Sequence, residues 1–313
     1  MKTLHIQIAL QATPERIFEA LTTAEHLEKW FAEKVDIALS ENRYAFWGRF
    51  TPGTPTEENG KHTLLSYEVN KSLKFQWHYD GVETTVSFII EQRGTTTYLL
   101  LTHDVMLNSH DIRQIYFADF WFLSLENLRR YLDGREIVAR CDFSAIKPGN
   151  FSHMIDIDAP PEDVFGALIR PDQLNRWIAS NATVEPVVGG KYDYGWKTGG
   201  PVKILEIKPN EKLTIAWPDT DPDSQQPIDT VVAWTLEGSG GKTRLTIVHS
   251  GFAPNTRTDG LQAGWLNFIN WIKSMLEYGS VWQPPYVRLS IGSESYYAAS
   301  IVAGQVDLIT REI

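Results

Sequence analysis

Apolar and polar residues alternate from the start of the chain. Leu4, Ile6, Ile8 and Leu10 share one face of an extended segment, and His5, Gln7, Ala9 and Gln11 share the other, the period of a half-buried β-strand. The alternation stops at Thr13-Pro14-Glu15. There a hydroxyl can cap, a proline suits the first helical position and an acid meets the positive end of a helix. A short helix follows with Ile17, Phe18 and Leu21 inward. Thr22-Thr23-Ala24-Glu25 reads as a capping box opening a second helix that carries Leu27 and Trp30 or Phe31. Further on, strand-like stretches at 191–196, 202–207, 212–217, 230–237 and 244–249 are separated by Thr198-Gly199-Gly200-Pro201, Pro209-Asn210 and Gly238-Ser239-Gly240-Gly241. Short strands with turn residues at these intervals predict an antiparallel meander. Helical spacing returns in Leu261, Trp265, Phe268, Ile269, Ile272 and Leu276, and earlier in Trp121, Leu125, Leu128 and Leu132. A strand, two short helices, a run of strands and one long helix make an α+β unit whose last helix must cover the apolar face of the sheet.

That unit occurs twice. Ala12-Thr13-Pro14-Glu15-Arg16-Ile17-Phe18-Glu19-Ala20-Leu21 returns as Ala159-Pro160-Pro161-Glu162-Asp163-Val164-Phe165-Gly166-Ala167-Leu168. The register carries Leu27 and Trp30 onto Leu174 and Trp177, Phe88 onto Trp234, and His103 onto His249. Each copy has the length of a domain, not of a solenoid repeat. The expected division is a first repeat at 1–134, a linker at 135–149 containing Lys147-Pro148-Gly149, a second repeat at 150–279 and an extension at 280–313. Val281-Trp282-Gln283-Pro284-Pro285 breaks helical structure at the start of the extension, which is too apolar for a disordered end. Residues 286–291 and 300–309 look strand-like, and the segment is expected to pack on a repeat or on a partner subunit.

Composition narrows the function. With 42% hydrophobic residues and eleven tryptophans, each half can bury a substantial core. A net charge of −10 opposes binding to nucleic acid or an anionic membrane surface. No apolar run reaches the ~20 residues that cross a bilayer, and the first residues lack the apolar block of a signal peptide. A cytoplasmic protein is therefore expected. The lone Cys141 cannot form an internal disulfide.

The second repeat strings together Ala-Pro-Pro-Glu-Asp-Val-Phe-Gly-Ala-Leu (159–168), Val-Gly-Gly-Lys-Tyr-Asp-Tyr (188–194), Ile-Leu-Glu-Ile-Lys-Pro-Asn-Glu-Lys-Leu-Thr-Ile-Ala-Trp (204–217), Thr-Val-Val-Ala-Trp-Thr-Leu-Glu (230–237), Thr-Arg-Leu-Thr-Ile-Val-His-Ser-Gly-Phe (243–252) and Gly264-Trp265. In this order the segments resemble the AHSA1-like (activator of Hsp90 ATPase homologue) branch of the START/Bet v 1-like, or SRPBCC, superfamily. The first repeat departs from the pattern, with Leu39-Ser40-Glu41-Asn42 in place of the Gly-Gly. The resemblance implies two tandem helix-grip domains, each a curved antiparallel sheet wrapped on its last helix, often with an apolar cavity between. It also implies a range of functions, from lipid carriage to activation of the chaperone Hsp90, and fold alone does not choose among them.

Residues that could carry chemistry are few. His103 and His249 fall at the same strand end in both copies, without a recurring carboxylate or cysteine partner, and a structural role is expected. Asp219-Thr220-Asp221-Pro222-Asp223 lacks the glycine and glutamate of a calcium loop and reads as a solvated hairpin. No phosphate loop, zinc spacing or nucleophile elbow occurs, so no cofactor, no metal and no catalysis are expected. The aromatic residues are the functional hint. Tyr194, Trp217, Trp234, Trp265, Phe268 and Ile269 in the second repeat, and Phe46, Trp77, Phe88 and Trp121 in the first, lie on elements that face the interior. They are either solid core or the wall of a small-molecule cavity. The expected function is binding of a small hydrophobic or amphipathic molecule. The alternatives are a chaperone-type adaptor with an Hsp90-like partner and, third, a cyclase- or hydrolase-like enzyme.

Overall fold

The computed structural model describes residues 2–79, 82–105, 113–196, 200–221, 224–291, 294–298, 301–302, 305–306 and 309–310. The first unit runs β1 (Lys2–Leu10), α1 (Pro14–Thr22), α2 (Ala24–Trp30), β2 (Lys34–Ala38), β3 (Arg43–Trp47), β4 (Lys61–Glu68), β5 (Ser72–Tyr79), β6 (Val82–Arg93), β7 (Thr96–Val105) and α3 (Arg113–Leu132). The second repeats the order as β8 (Phe151–Ile157), α4 (Pro161–Ile169), α5 (Pro171–Trp177), β9 (Thr183–Val184), β10 (Lys191–Asp193), β11 (Val202–Lys208), β12 (Lys212–Thr220), β13 (Pro227–Ser239), β14 (Lys242–Ser250) and α6 (Asp259–Tyr278). Each is an antiparallel meander with its first strand joined to its last, β1 to β7 and β8 to β14. The fold is α+β, two tandem helix-grip domains. Parts of the turn at 198–201 and of the acidic run at 219–223 lie outside the described residues.

Local chemistry places the elements. Thr13 caps α1 by accepting from the Arg16 N–H at 3.4 Å, with Pro14 and Glu15 in the first turn. Ile17, Phe18, Ala20 and Leu21 are buried, as are Leu4, Ile6, Ile8 and Leu10 on β1. The capping box at 22–25 does not form. Thr22 is still the last residue of α1 and its hydroxyl donates back to Phe18 O at 2.6 Å, while Thr23, the cap of α2, makes no side-chain bond.

The duplication extends to individual hydrogen bonds. Trp30 Nε1 donates to Ala20 O at 3.0 Å, and Trp177 Nε1 donates to Ala167 O at 3.0 Å. Tyr44 donates to Leu21 O at 2.9 Å as Tyr192 does to Leu168 O at 2.7 Å. Thr97 donates to Ala12 O at 2.6 Å, and Thr243 to Ala159 O at 2.7 Å. Each bond ties a strand or helix side chain to a backbone carbonyl that its own element cannot satisfy.

The two sheets end differently. The free edge of β1 accepts a further antiparallel strand from the extension, β15 (Tyr286–Ile291), with Lys2 opposite Ile291 and Gln7 opposite Tyr286. β16 (Glu294–Ala298) adds to β15. The dipeptide strands β17 (Ile301–Val302), β18 (Gln305–Val306) and β19 (Ile309–Thr310) follow, the last pairing with β16. The rest of 300–309 lies outside the described residues. The edge of β8 is instead capped by its own helix. Lys273 Nζ donates to Asp156 O at 2.6 Å, the Asp158 N–H donates to Glu277 Oε1 at 3.0 Å, and the two side chains pair at 2.5 Å. Both arrangements satisfy an edge that would otherwise offer unpaired backbone groups.

The compact units divide between Ala145 and Ile146, and 285–301 belong with the first. Residues 135–145 are held to the first unit. Asn127 bonds Ala139 O and the Val138 N–H, Arg130 Nε donates to Glu136 O at 2.7 Å, and Arg140 donates to Ala32 O at 2.8 Å. Residues 147–149 are held to the second, through Gln262 Nε2 to Lys147 O at 2.8 Å and Thr258 Oγ1 to Gly149 O at 3.0 Å.

Candidate functional site

The segment just after β10, the inward faces of β12 and β13, and α6 bring the aromatic residues of the second repeat into one chain of rings. Trp217 stands 6.0 Å from Tyr194 and 5.0 Å from Trp265 between centroids, and Trp265 stands 5.4 Å from Trp234 and 5.8 Å from Phe268. Ile269, fully buried, sits beside Phe268 on α6. In the first repeat Phe46, Trp77, Trp121 and Phe88 form the equivalent chain at 5.1, 5.7 and 5.7 Å. The predicted residues therefore meet, within each repeat, between sheet and helix.

One histidine organises each cluster. Trp265 Nε1 donates to His249 Nδ1 at 3.1 Å, so that nitrogen holds a lone pair and the proton sits on Nε2. His249 Nε2 then donates to Thr230 Oγ1 at 2.8 Å, and Thr230 donates to Trp217 O. The first repeat repeats the circuit: Trp121 Nε1 to His103 Nδ1 at 3.0 Å, His103 Nε2 to Thr84 Oγ1 at 2.9 Å, Thr84 to Trp77 O at 3.0 Å. Burial pushes both imidazoles down to about 3. Each neutral histidine thus accepts from an indole at Nδ1 and bonds a threonine hydroxyl at Nε2. This is the structural role expected for the pair, with an indole partner that spacing alone did not reveal.

The ends of the two clusters differ. In the first repeat Trp77 is 0% exposed. The loop at 48–60 folds over that end, burying Thr51, Pro52 and Thr54, and Gly53 lies so close that a Cβ there would stand 2.5 Å from the Tyr79 ring. In the second repeat Trp217, the counterpart of Trp77, is half-buried, as is Trp196 beside it at 5.9 Å. Trp196 also stacks on Tyr194 at 4.4 Å. Its indole donates to Ile178 O at 3.0 Å, and the Ser180 N–H donates to Tyr194 O at 2.8 Å. The turn between them needs Gly195, whose φ is +74° and where a Cβ would strike Ser180 O. Where the first repeat has Tyr79, the second has Asp219, half-buried two residues beyond Trp217 on the same face of β12. Burial pushes the Asp219 carboxyl up, although the Thr220 N–H donates to it at 2.7 Å. Among the described residues of the second unit no lysine or arginine is fully buried.

Sequence reasoning did not single out Trp196, and it placed Asp219 in a solvated hairpin, whereas Asp219 lies half-buried on β12. The signal for Trp196 was the alternation Tyr192, Tyr194, Trp196, which puts three aromatics on one face. Among the described residues no group of three or more His, Cys, Asp or Glu could hold a metal. No described helix is long and apolar enough to cross a membrane.

A family model described as activator of Hsp90 ATPase homolog 1-like protein matches residues 11–133 and again residues 158–277. The chain belongs to this family. Both AHSA1-like matches include the long helix that carries Trp121 or Trp265. Among solved structures the chain is similar to the Aha1 dimer from Colwellia psychrerythraea, at 26% identity and TM-score 0.37, over 42% of this chain and 99% of that one. It is similar to PFC0360w, an HSP90 activator from Plasmodium falciparum, at 20% identity and TM-score 0.35, over 41% of this chain and 94% of that one. DynU16, a putative protein in the dynemicin biosynthetic locus, matches at 14% identity and TM-score 0.34, over 88% of this chain and 98% of that one. No curated protein matches the chain.

Proposed function

We propose that the second AHSA1-like repeat binds a small, flat, uncharged or cationic molecule between sheet and helix without turning it over, and that the first repeat serves as its closed counterpart. One observation carries this reading: the half-buried pair Trp196 and Trp217 leads into a continuous chain of buried rings, whereas the equivalent end of the first repeat is sealed. Asp219 at the same end, with no fully buried cation among the described residues of this unit, disfavours a carboxylate head group. Covering about 300 Å² of apolar ligand at ~25 cal/mol per Å² contributes about 7 kcal/mol. Association costs at least ~4 kcal/mol, so micromolar or weaker affinity is expected. Binding without catalysis accords with His249, whose two ring nitrogens are both engaged. A cytoplasmic address is part of the same proposal.

The test is titration of the whole protein with tetralin or 1-tetralone, followed by tryptophan fluorescence. A saturable change that Trp217→Ala weakens about tenfold, and that Trp77→Phe leaves unaltered, is the expected result. No saturable change would remove the proposal. The family's description supports a second reading, an Hsp90-type protein partner. Stimulation of an Hsp90 ATPase by the purified protein would favour that reading over the first.

A further inference from the structure

The Trp234 indole is fully buried, and its Nε1–H has no acceptor among the described residues. Trp177, Trp196 and Trp265 donate to Ala167 O, Ile178 O and His249 Nδ1, and Tyr192 donates to Leu168 O, so among these indoles Trp234 stands out. The fold does not require a donor at this position, because the first repeat fills it with Phe88. A buried N–H without a partner is rare in native proteins and costly to maintain.

Its place along the strand connects it to the half-buried end. Trp217 pairs with Thr230 and Leu213 with Trp234, and Thr230, Val232, Trp234 and Leu236 share the inward face of β13. Four residues of strand put Trp234 ~13 Å inward of Thr230. The Trp265 ring lies between the two indoles, 5.0 Å from Trp217 and 5.4 Å from Trp234. A flat molecule entering past Trp217 and lying along Trp265 would bring its inner end to the free indole N–H.

We infer that the ligand of the second repeat carries a neutral hydrogen-bond acceptor, a carbonyl or ether oxygen, at its inner end, and that Trp234 Nε1–H donates to it. This rests on the proposed binding site and specifies its chemistry. Apolar contact then sets most of the affinity, while Trp234 selects ketones, quinones, lactones and ethers over hydrocarbons of the same shape.

The experiment compares 1-tetralone with tetralin, which differ by one carbonyl, in the parent protein and in Trp234→Phe. The ketone-to-hydrocarbon affinity ratio is expected to fall about three- to tenfold in the variant, with tetralin binding retained. Indole ¹H–¹⁵N spectra of the parent supply a second readout that needs no folded variant. The Trp234 resonance should move downfield with tetralone and not with tetralin. Trp77 is the internal control: its indole is also buried without an acceptor among the described residues, but beneath the closed end of the first repeat, and its resonance should not respond. If both probes bind with an unchanged ratio in Trp234→Phe, or the Trp234 resonance ignores tetralone, the inference fails and the N–H faces a neighbouring ring. If neither probe saturates, the site itself fails.

Discussion

Replacing His249 by Asn tests whether the Trp–His–Thr circuit holds a neutral imidazole for structural ends. At neutral pH the shorter amide leaves either the Trp265 N–H without its acceptor or the Thr230 oxygen without its imidazole donor and opens a small void, a loss of about 2–3 kcal/mol. The decisive quantity is the pH slope. The unfolded histidine takes its proton near 6.5 and the folded one near about 3. The neutral ring therefore contributes stability that is complete above pH 6.5 and is lost as pH falls. At 1.4 kcal/mol per pH unit, His249 alone should account for about 2 kcal/mol of lost stability between pH 7 and pH 5. Urea unfolding of the whole protein at both pH values, read through tryptophan fluorescence, should show this loss in the parent and about 2 kcal/mol less of it in the variant. His153 remains in the same unit with its own lowered basicity, caused by burial, so the slope should shrink without vanishing. The first unit, where His62 and His103 are both pushed down to about 3, should lose more. Identical slopes in parent and His249→Asn would show that the imidazole is not held neutral, and the assignment of its tautomer would fall with it.

Two further outcomes follow from the edges and the half-open end. Residues 146–284 should unfold cooperatively by themselves, because their sheet edge is closed by Lys273 and Glu277. Deleting 285–313 from the whole chain should lower the stability of the first unit and promote self-association through bare β1; a truncated chain that stays monomeric and equally stable in size-exclusion and unfolding measurements would contradict the role given to β15. Asp219→Asn should stabilise the second unit modestly at pH 7, since burial raises the acid and the charged form is the unfavourable one. The gain should fade as pH falls through the raised value, and a gain independent of pH would mean that charge is not its cause.

Much of the fold was legible before any coordinates. Alternation at Leu4 to Leu10 and three-four spacing from Trp265 to Ile272 report directly which face of a strand or helix is apolar, and the recurrence of those patterns in register reports that one architecture is built twice. What periodicity does not report is which other segment lies over a given face. Trp77 and Trp217 occupy the same position on the same strand, yet one is sealed and the other half-open, because the loop at 48–60 folds over the first while a tight turn at Gly195 holds Trp196 beside the second. The capping box expected at 22–25 fails for a similar reason: α1 runs one residue further than its cap residues suggest, and Thr22 is used up inside it. The edge of β1, the acceptor for each indole and the missing partner of Trp234 were likewise decided only when distant segments met. Burial of a face is written in the period of its own element, but closure of a hydrogen bond or of a cavity depends on an atom contributed from elsewhere in the chain, and only the folded chain brings that atom within 3 Å.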